Sequence, residues 1–156
     1  MAGREHLYSA TLTWTGASAG PTLDYRAYSR EFRAEFPGKP ALTGSADPTY
    51  LGDAKLHNPE DLLLASLSAC HMLSYLALCA RDKIAVTAYR DEASGTMAIK
   101  DGKMRFVSVL LRPQVTIATP DKLERARALH SEAHAGCFIA NSVNFPVGNE
   151  AVVRAD

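Results

Sequence analysis

Polar and apolar positions change period several times along this chain, and each change marks an element. Tyr8, Ala10, Leu12 and Trp14 alternate with Ser9, Thr11 and Thr13, the two-residue period of a strand with one buried face. Gly16, Gly20 and Pro21 mark a turn after it. Leu23 to Tyr28 and Phe32 to Phe36 are predicted as further strands, and Pro37, Gly38, Gly44, Pro48 and Gly52 then punctuate an irregular loop. From Leu62 to Ala80 no residue carries a formal charge and the run is apolar nearly all round. That pattern predicts a helix buried on every side rather than along one stripe. Asn58, Pro59, Glu60 and Asp61 start it: the asparagine caps free backbone N–H groups, proline suits the first turn, and carboxylates favour its positive end. The helix is predicted to run to about Arg81.

Ile84 to Ala93 reads as a strand, and Thr96 to Lys100 pairs with Met104 to Leu110 through the Asp101-Gly102 turn, so residues 84 to 117 form an antiparallel sheet in this reading. Thr119, Pro120 and Asp121 repeat the cap, proline and acid signature, and a second helix continues to Gly136, whose missing Cβ suits a helix end. Phe138 to Val143 is expected as a short helical turn and Phe145 to Val153 as a closing strand. Helices and strands do not alternate one for one as a parallel sheet requires, so the class is α+β.

At 156 residues the chain fits one domain over 1–156. An all-apolar helix in so short a chain predicts a shared core, with a second copy covering faces that one sheet cannot. The run is also long enough to span a bilayer. His71, three serines and the amphipathic strands on either side point instead to a water-facing domain with sheets wrapped around the helix, and no membrane partner is expected. Seventeen Lys and Arg balance 17 Asp and Glu without forming a basic stripe, which excludes nucleic acid as an expected partner. The N-terminus lacks the charged start, apolar run and small-residue cleavage site of a secretory signal, so the cytoplasm is the expected compartment.

Cys70, Cys79 and Cys137 are too few for a disulfide scaffold and point to free thiols, catalysis or metal binding. Cys79 lies nine residues beyond Cys70 on the same apolar helix and is expected as core filler. His71 projects about 100° away from Cys70 and reads as a packing or hydrogen-bonding residue. His130 and His134 stand four apart on one helical face with Cys137 three residues on, a set that could ligate zinc through two imidazoles and a thiolate, although no fourth ligand announces itself. In the alternative to metal binding, His130 is a surface residue.

Cys70 in the apolar helix, ten residues after Glu60 in Asn58-Pro59-Glu60, together with His134-Ala135-Gly136-Cys137, resembles the family of osmotically inducible protein C (OsmC) and organic hydroperoxide resistance proteins. The likeness in element order runs from Tyr8 to Val153. It implies an OsmC-like fold, antiparallel sheets wrapped around a long buried central helix in an intertwined homodimer. It also implies a thiol-dependent peroxidase in which Cys70 attacks an organic hydroperoxide and Cys137 resolves the product as a disulfide. Glu60 and an arginine would activate Cys70, and a dithiol such as protein-bound dihydrolipoamide would recycle the enzyme, with no metal or nucleotide cofactor. Two departures mark a divergent branch. Thr15 to Gly20, where the hydroperoxide resistance proteins carry their arginine, contains none, leaving Arg26, Arg30 and Arg33 as candidates and Arg30 as the preferred one. Phe138 follows Cys137 where many relatives have proline.

The chemistry itself needs a cation. A thiol near pKa 8.5 is only a few per cent thiolate at neutral pH, the thiolate is the nucleophile, and burial in mid-helix opposes ionisation. Lowering the pKa by about two units takes roughly 2.7 kcal/mol of preferential interaction with the charged form. Along a straight helix Glu60 and Cys70 stand about 15 Å apart, so an extended arginine or a group from a second subunit has to bridge them. A non-enzymatic dimer that binds an apolar ligand in its interface, with inert cysteines, is the rival reading.

Overall fold

A computed structural model describes residues 5–156. The described residues pack as two compact units, one up to residue 62 and one from residue 63 on, divided within the first turns of the long helix.

The N-terminal unit is built on a three-stranded antiparallel sheet, β1 (Thr11–Trp14), β2 (Phe32–Glu35) and β3 (Leu42–Gly44), in that spatial order. Thr11 faces Glu35 and Phe32 faces Gly44 across the two ladders. In the single chain β1 has no buried face, since Leu12 is 66% exposed and Trp14 40%. Leu23 to Tyr28 is not a strand: Asp24 accepts the Arg26 N–H on its side chain and the Ala27 N–H on its carbonyl, a local turn that competes with extension. The loop from Pro37 to Gly52 instead contains β3 and a 3-10 turn over Pro48–Tyr50, capped by Asp47, whose side chain accepts the Thr49 N–H at 2.7 Å. Gly52 is required at its position because a Cβ there would collide with the Ala46 carbonyl.

Helix α1 (Pro59–Arg81) begins where the cap predicts. Asn58 Oδ1 accepts the Asp61 N–H at 2.8 Å and Asp61 Oδ2 accepts the Asn58 N–H at 3.3 Å, a reciprocal pair that satisfies two free donors. In the C-terminal unit α1 buries one stripe, Leu67, His71, Tyr75 and Cys79, at the four-residue spacing of a helix face. Its other faces are half-buried or open, with Leu73 63% exposed, so the all-round burial predicted from composition is not met within one chain. By length and composition the helix could cross a membrane, and its buried stripe is the spine of the unit's core.

Two three-stranded sheets flank that core, β4-β7-β9 and β5-β6-β8, from β4 (Val86–Asp91), β5 (Ser94–Lys100), β6 (Lys103–Leu111), β7 (Pro113–Ile117), β8 (Val147–Asn149) and β9 (Val152–Ala155). The hairpin expected at Asp101-Gly102 is present, with Lys100 opposite Lys103 and positive φ at both turn residues (52° and 72°), as a two-residue type I′ turn demands. The single antiparallel sheet expected over 84 to 117 is divided, because the chain passes from one sheet to the other at Glu92 and Ala93 and back again at Arg112. The closing segment makes the same passage at Glu150 and Ala151, so the strand expected over Phe145 to Val153 becomes two, each joined parallel to its neighbour. The passages at Arg112 and at Glu150 lie together: the Glu150 N–H donates to the Leu111 carbonyl at 2.9 Å, and Arg112 pairs with Glu150 at 3.7 Å.

Helix α2 (Leu123–Ala135) follows a 3-10 turn over Pro120–Lys122, and Thr119 spends its hydroxyl on the Ala85 N–H rather than on a cap. Gly136 has φ −90°, so any residue could end the helix there. One apolar cluster joins Tyr75, Cys79, Ile84, Val115, Ile117, Leu129 and Val153; a second joins Leu67, Val109 and Leu111 with Phe106, Ile139 and Phe145 around them.

Candidate active site at Cys70 and Cys137

Cys137 lies two residues beyond α2, and the chain then turns through Ala140–Ser142. Its thiol is buried at 1% exposure and neighbours the Cys70 thiol on α1 closely enough for the two to influence each other's ionisation. All three cysteines are free thiols, and Cys70 is half-buried. Burial and the neighbouring Cys70 push the Cys137 thiol up, against the opposing effect of the Ala140 N–H, which points at Sγ from 3.5 Å. The two sulfurs, 67 positions apart in sequence, are thus adjacent, and only Cys70 has access to solvent. Phe138, next to Cys137, is 81% exposed.

Glu60 and Arg30 belong to the N-terminal unit. Glu60 stands in the first turn of α1, and its Oε2 is buried with no hydrogen-bond partner among the described residues. Arg30 is held by its own turn: its guanidinium donates to the Tyr28 carbonyl at 2.6 Å and to the Tyr25 carbonyl, and lies 4.0 Å from the Tyr28 ring centroid. Among the described residues it has no carboxylate within ion-pair distance, whereas Arg33 pairs with Glu35 at 3.3 Å. Arg26 is exposed.

Cys79 is core filler, 1% exposed among Tyr75, Ile84 and Leu129, and burial pushes its thiol up. The zinc set His130, His134 and Cys137 does not assemble. Among the described residues no three His, Cys, Asp or Glu side chains converge on a metal site. His130 faces α1 rather than Cys137: its Nδ1 is 3.0 Å from His71 Nε2, its ring stacks on Tyr75 with centroids 3.9 Å apart, and it is 6% exposed, not a surface residue. Asn149 Nδ2 closes the network at 2.8 Å from His71 Nε2. His71 is therefore a hydrogen-bonding core residue. Burial lowers both imidazoles, His130 to about 4 with further lowering from His71, and His71 with further lowering from His134. The partnership of His71, His130 and Asn149 escaped sequence reading. Its one signal was the four-residue spacing that places His71 on the stripe of Leu67, Tyr75 and Cys79.

Residues 52–149 match the family model described as OsmC-like protein. An OsmC-like protein of unknown function from Vibrio cholerae is 34% identical and superposes with a TM-score of 0.87, covering 95% of this chain and 100% of that one. The YmaD protein of Bacillus subtilis (strain 168) is 24% identical over 102 residues, 62% of this chain and 68% of YmaD. An organic hydroperoxide resistance protein from Elizabethkingia anophelis, 19% identical, shares the fold with a TM-score of 0.67 over 98% of this chain and 100% of its own. By the family match, by its likeness to the Vibrio protein and by its α+β architecture, this chain belongs to the OsmC-like family.

Proposed function

We propose that this protein is a thiol-dependent peroxidase that reduces organic hydroperoxides to alcohols. The observation that carries the reading is the asymmetric thiol pair, an accessible Cys70 backed by a buried Cys137. The Cys70 thiolate attacks the distal oxygen of ROOH, the O–O bond breaks, and the departing alkoxide takes a proton to leave as ROH, with Cys70 as sulfenic acid. Cys137, kept protonated by its burial, then forms the disulfide as its proton and the sulfenic hydroxyl leave as water. An external dithiol reduces that bond by exchange. Glu60 and Arg30 are assigned the activation of Cys70: among the described residues Arg30, unlike Arg33, has no acid partner and, unlike the exposed Arg26, is half-buried, and Glu60 has a buried carboxylate oxygen in need of a donor. The working form is a homodimer in the cytoplasm. Leu12, Trp14 and Leu73 support the dimer, since each is a large apolar side chain left open in one chain.

Peptide mapping after stoichiometric cumene hydroperoxide, under non-reducing conditions, tests the proposal. A Cys70 to Cys137 cross-link is expected; both peptides recovered as free thiols after the peroxide has been consumed would reject it.

A further inference from the structure

Arg127, His130, Ser131 and His134 stand at i, i+3, i+4 and i+7 on α2, so the helix turns all four the same way. They meet the passage between β8 and β9, at Asn149 and Ala151, and enclose a groove of about 340 Å³. The thiol chemistry proposed above uses none of these residues. His130 is the most deeply buried of them: its Nδ1 is engaged by His71, while its Nε2 is buried with no hydrogen-bond partner among the described residues. His134 Nδ1 is in the same condition.

The lining sets the chemistry of the occupant. No carboxylate lines the groove, and Arg127 supplies its one formal charge. Guanidinium, hydroxyl and amide groups offer hydrogen-bond donors, and a guanidinium matches an oxyanion in both charge and shape. Because Asn149 Nδ2 donates to His71 Nε2, His130 Nδ1 is the donor of the histidine pair, and His130 Nε2 becomes a donor to the groove on protonation. The volume lies at the small end of the roughly 300–1,000 Å³ spanned by ligand cavities, which suits a compact group. We infer that the groove between α2 and the β8–β9 passage binds a small oxyanion, a carboxylate or phosphate, through Arg127, His130, Ser131 and His134. Glu124 competes for the guanidinium: it accepts from Arg127 Nη1 at 2.5 Å, but the pair is exposed and of the weak surface kind, and the rest of the guanidinium edge is unused by it. An anion against His130 favours its protonated form, so binding strengthens as pH falls. The groups facing His130 are His71 and Tyr75 from α1 and Arg127 and His134 from α2. Asn149 reaches His71 from β8, and Asp91 at the end of β4 acts on His71 in the direction of protonation.

Imidazole ¹H–¹⁵N NMR on the full chain, titrated separately with inorganic phosphate and with succinate at constant ionic strength, tests the site. Saturable shifts of the His130 and His134 signals are expected. Affinity should fall about tenfold, or roughly 1.4 kcal/mol, in Arg127→Gln and rise a few-fold in Glu124→Gln. Response to phosphate alone, or to succinate alone, assigns the groove to that anion. Both variants are expected to consume hydroperoxide at the parent rate, so this result stands or falls separately from the peroxidase reading. Absence of a saturable shift up to about 50 mM of either anion, where even a site of millimolar Kd fills, would overturn the inference. So would equal affinity in Arg127→Gln and the parent.

Discussion

Cys70 and His71 are neighbours in sequence, yet each pairs across from α1 with a residue of its own kind and the two pairs serve opposite ends. Cys70 stays half-buried and meets Cys137 beyond the end of α2; His71 is sealed in the core and meets His130 within α2. The 100° that separates consecutive helical residues accounts for the difference. One face of α1 is committed to packing through Leu67, His71, Tyr75 and Cys79, and the next face round carries a thiol that solvent reaches. A thiol open to solvent on a core helix thus costs little packing when it stands one residue out of phase with the buried stripe.

The sharpest way to break this contrast is to exchange the sulfur. Cys70→Ser should reduce cumene hydroperoxide consumption to the uncatalysed background, whereas Cys137→Ser should support one stoichiometric turnover and then accumulate Cys70 sulfenic acid, detectable by dimedone labelling and mass spectrometry. Equal consumption by Cys70→Ser and the parent protein would remove the functional half of the comparison.

The histidine pair predicts a stability signature instead. Between about 6.5 and about 4 the unfolded chain binds a proton at residue 130 that the folded chain refuses, so stability is complete above about pH 6.5 and falls as pH drops toward 4. At about 1.4 kcal/mol per pH unit the loss is about 3 kcal/mol, with His71, also lowered, adding in the same direction. Urea denaturation across that range measures it, and a flat profile would mean that His130 titrates normally. His71→Leu at pH 7.5 should cost about 2 kcal/mol, because it leaves His130 Nδ1 and Asn149 Nδ2 without their shared partner. Adding His130→Phe should recover part of that cost, and a double-mutant cycle in urea isolates the coupling.

The smallest expected effect belongs to the cysteine on the packing stripe. Cys79→Ala should cost about 1 kcal/mol of stability by urea denaturation and leave peroxide turnover unchanged. A large loss of turnover would show that burial on this stripe does not separate structural from reactive sulfur.

Local chemistry made much of this architecture legible in the sequence. The Asn58 cap, the Asp101-Gly102 turn and the strand at Phe32 act over a few residues, and each stands where the residues predict it. The spacing of Glu60, Cys70 and Cys137 also carried the family resemblance. One local signal was misread, and the other readings that failed concern partners distant in sequence. Residues 23 to 28 have enough apolar character for a strand, but Asp24 closes a turn there, and Leu42–Gly44 pairs although the glycines and prolines around it read as loop. Periodicity gave no means of knowing that the chain changes sheets after Asp91, at Arg112 and again at Glu150, because each segment extends equally well in one sheet or two.

What the sequence by itself determined was therefore the set of elements with strong local signals and the chemical types available: three thiols, an acid at the start of α1, and histidines on α1 and α2. Only the tertiary structure decided the pairing, bringing Cys137 rather than Cys79 to Cys70 and turning His130 to His71 rather than to solvent or a metal. The physical reason is that a cap or a turn is settled by contacts within one turn of chain, whereas the face a helix buries is settled by whichever surfaces the rest of the chain brings against it.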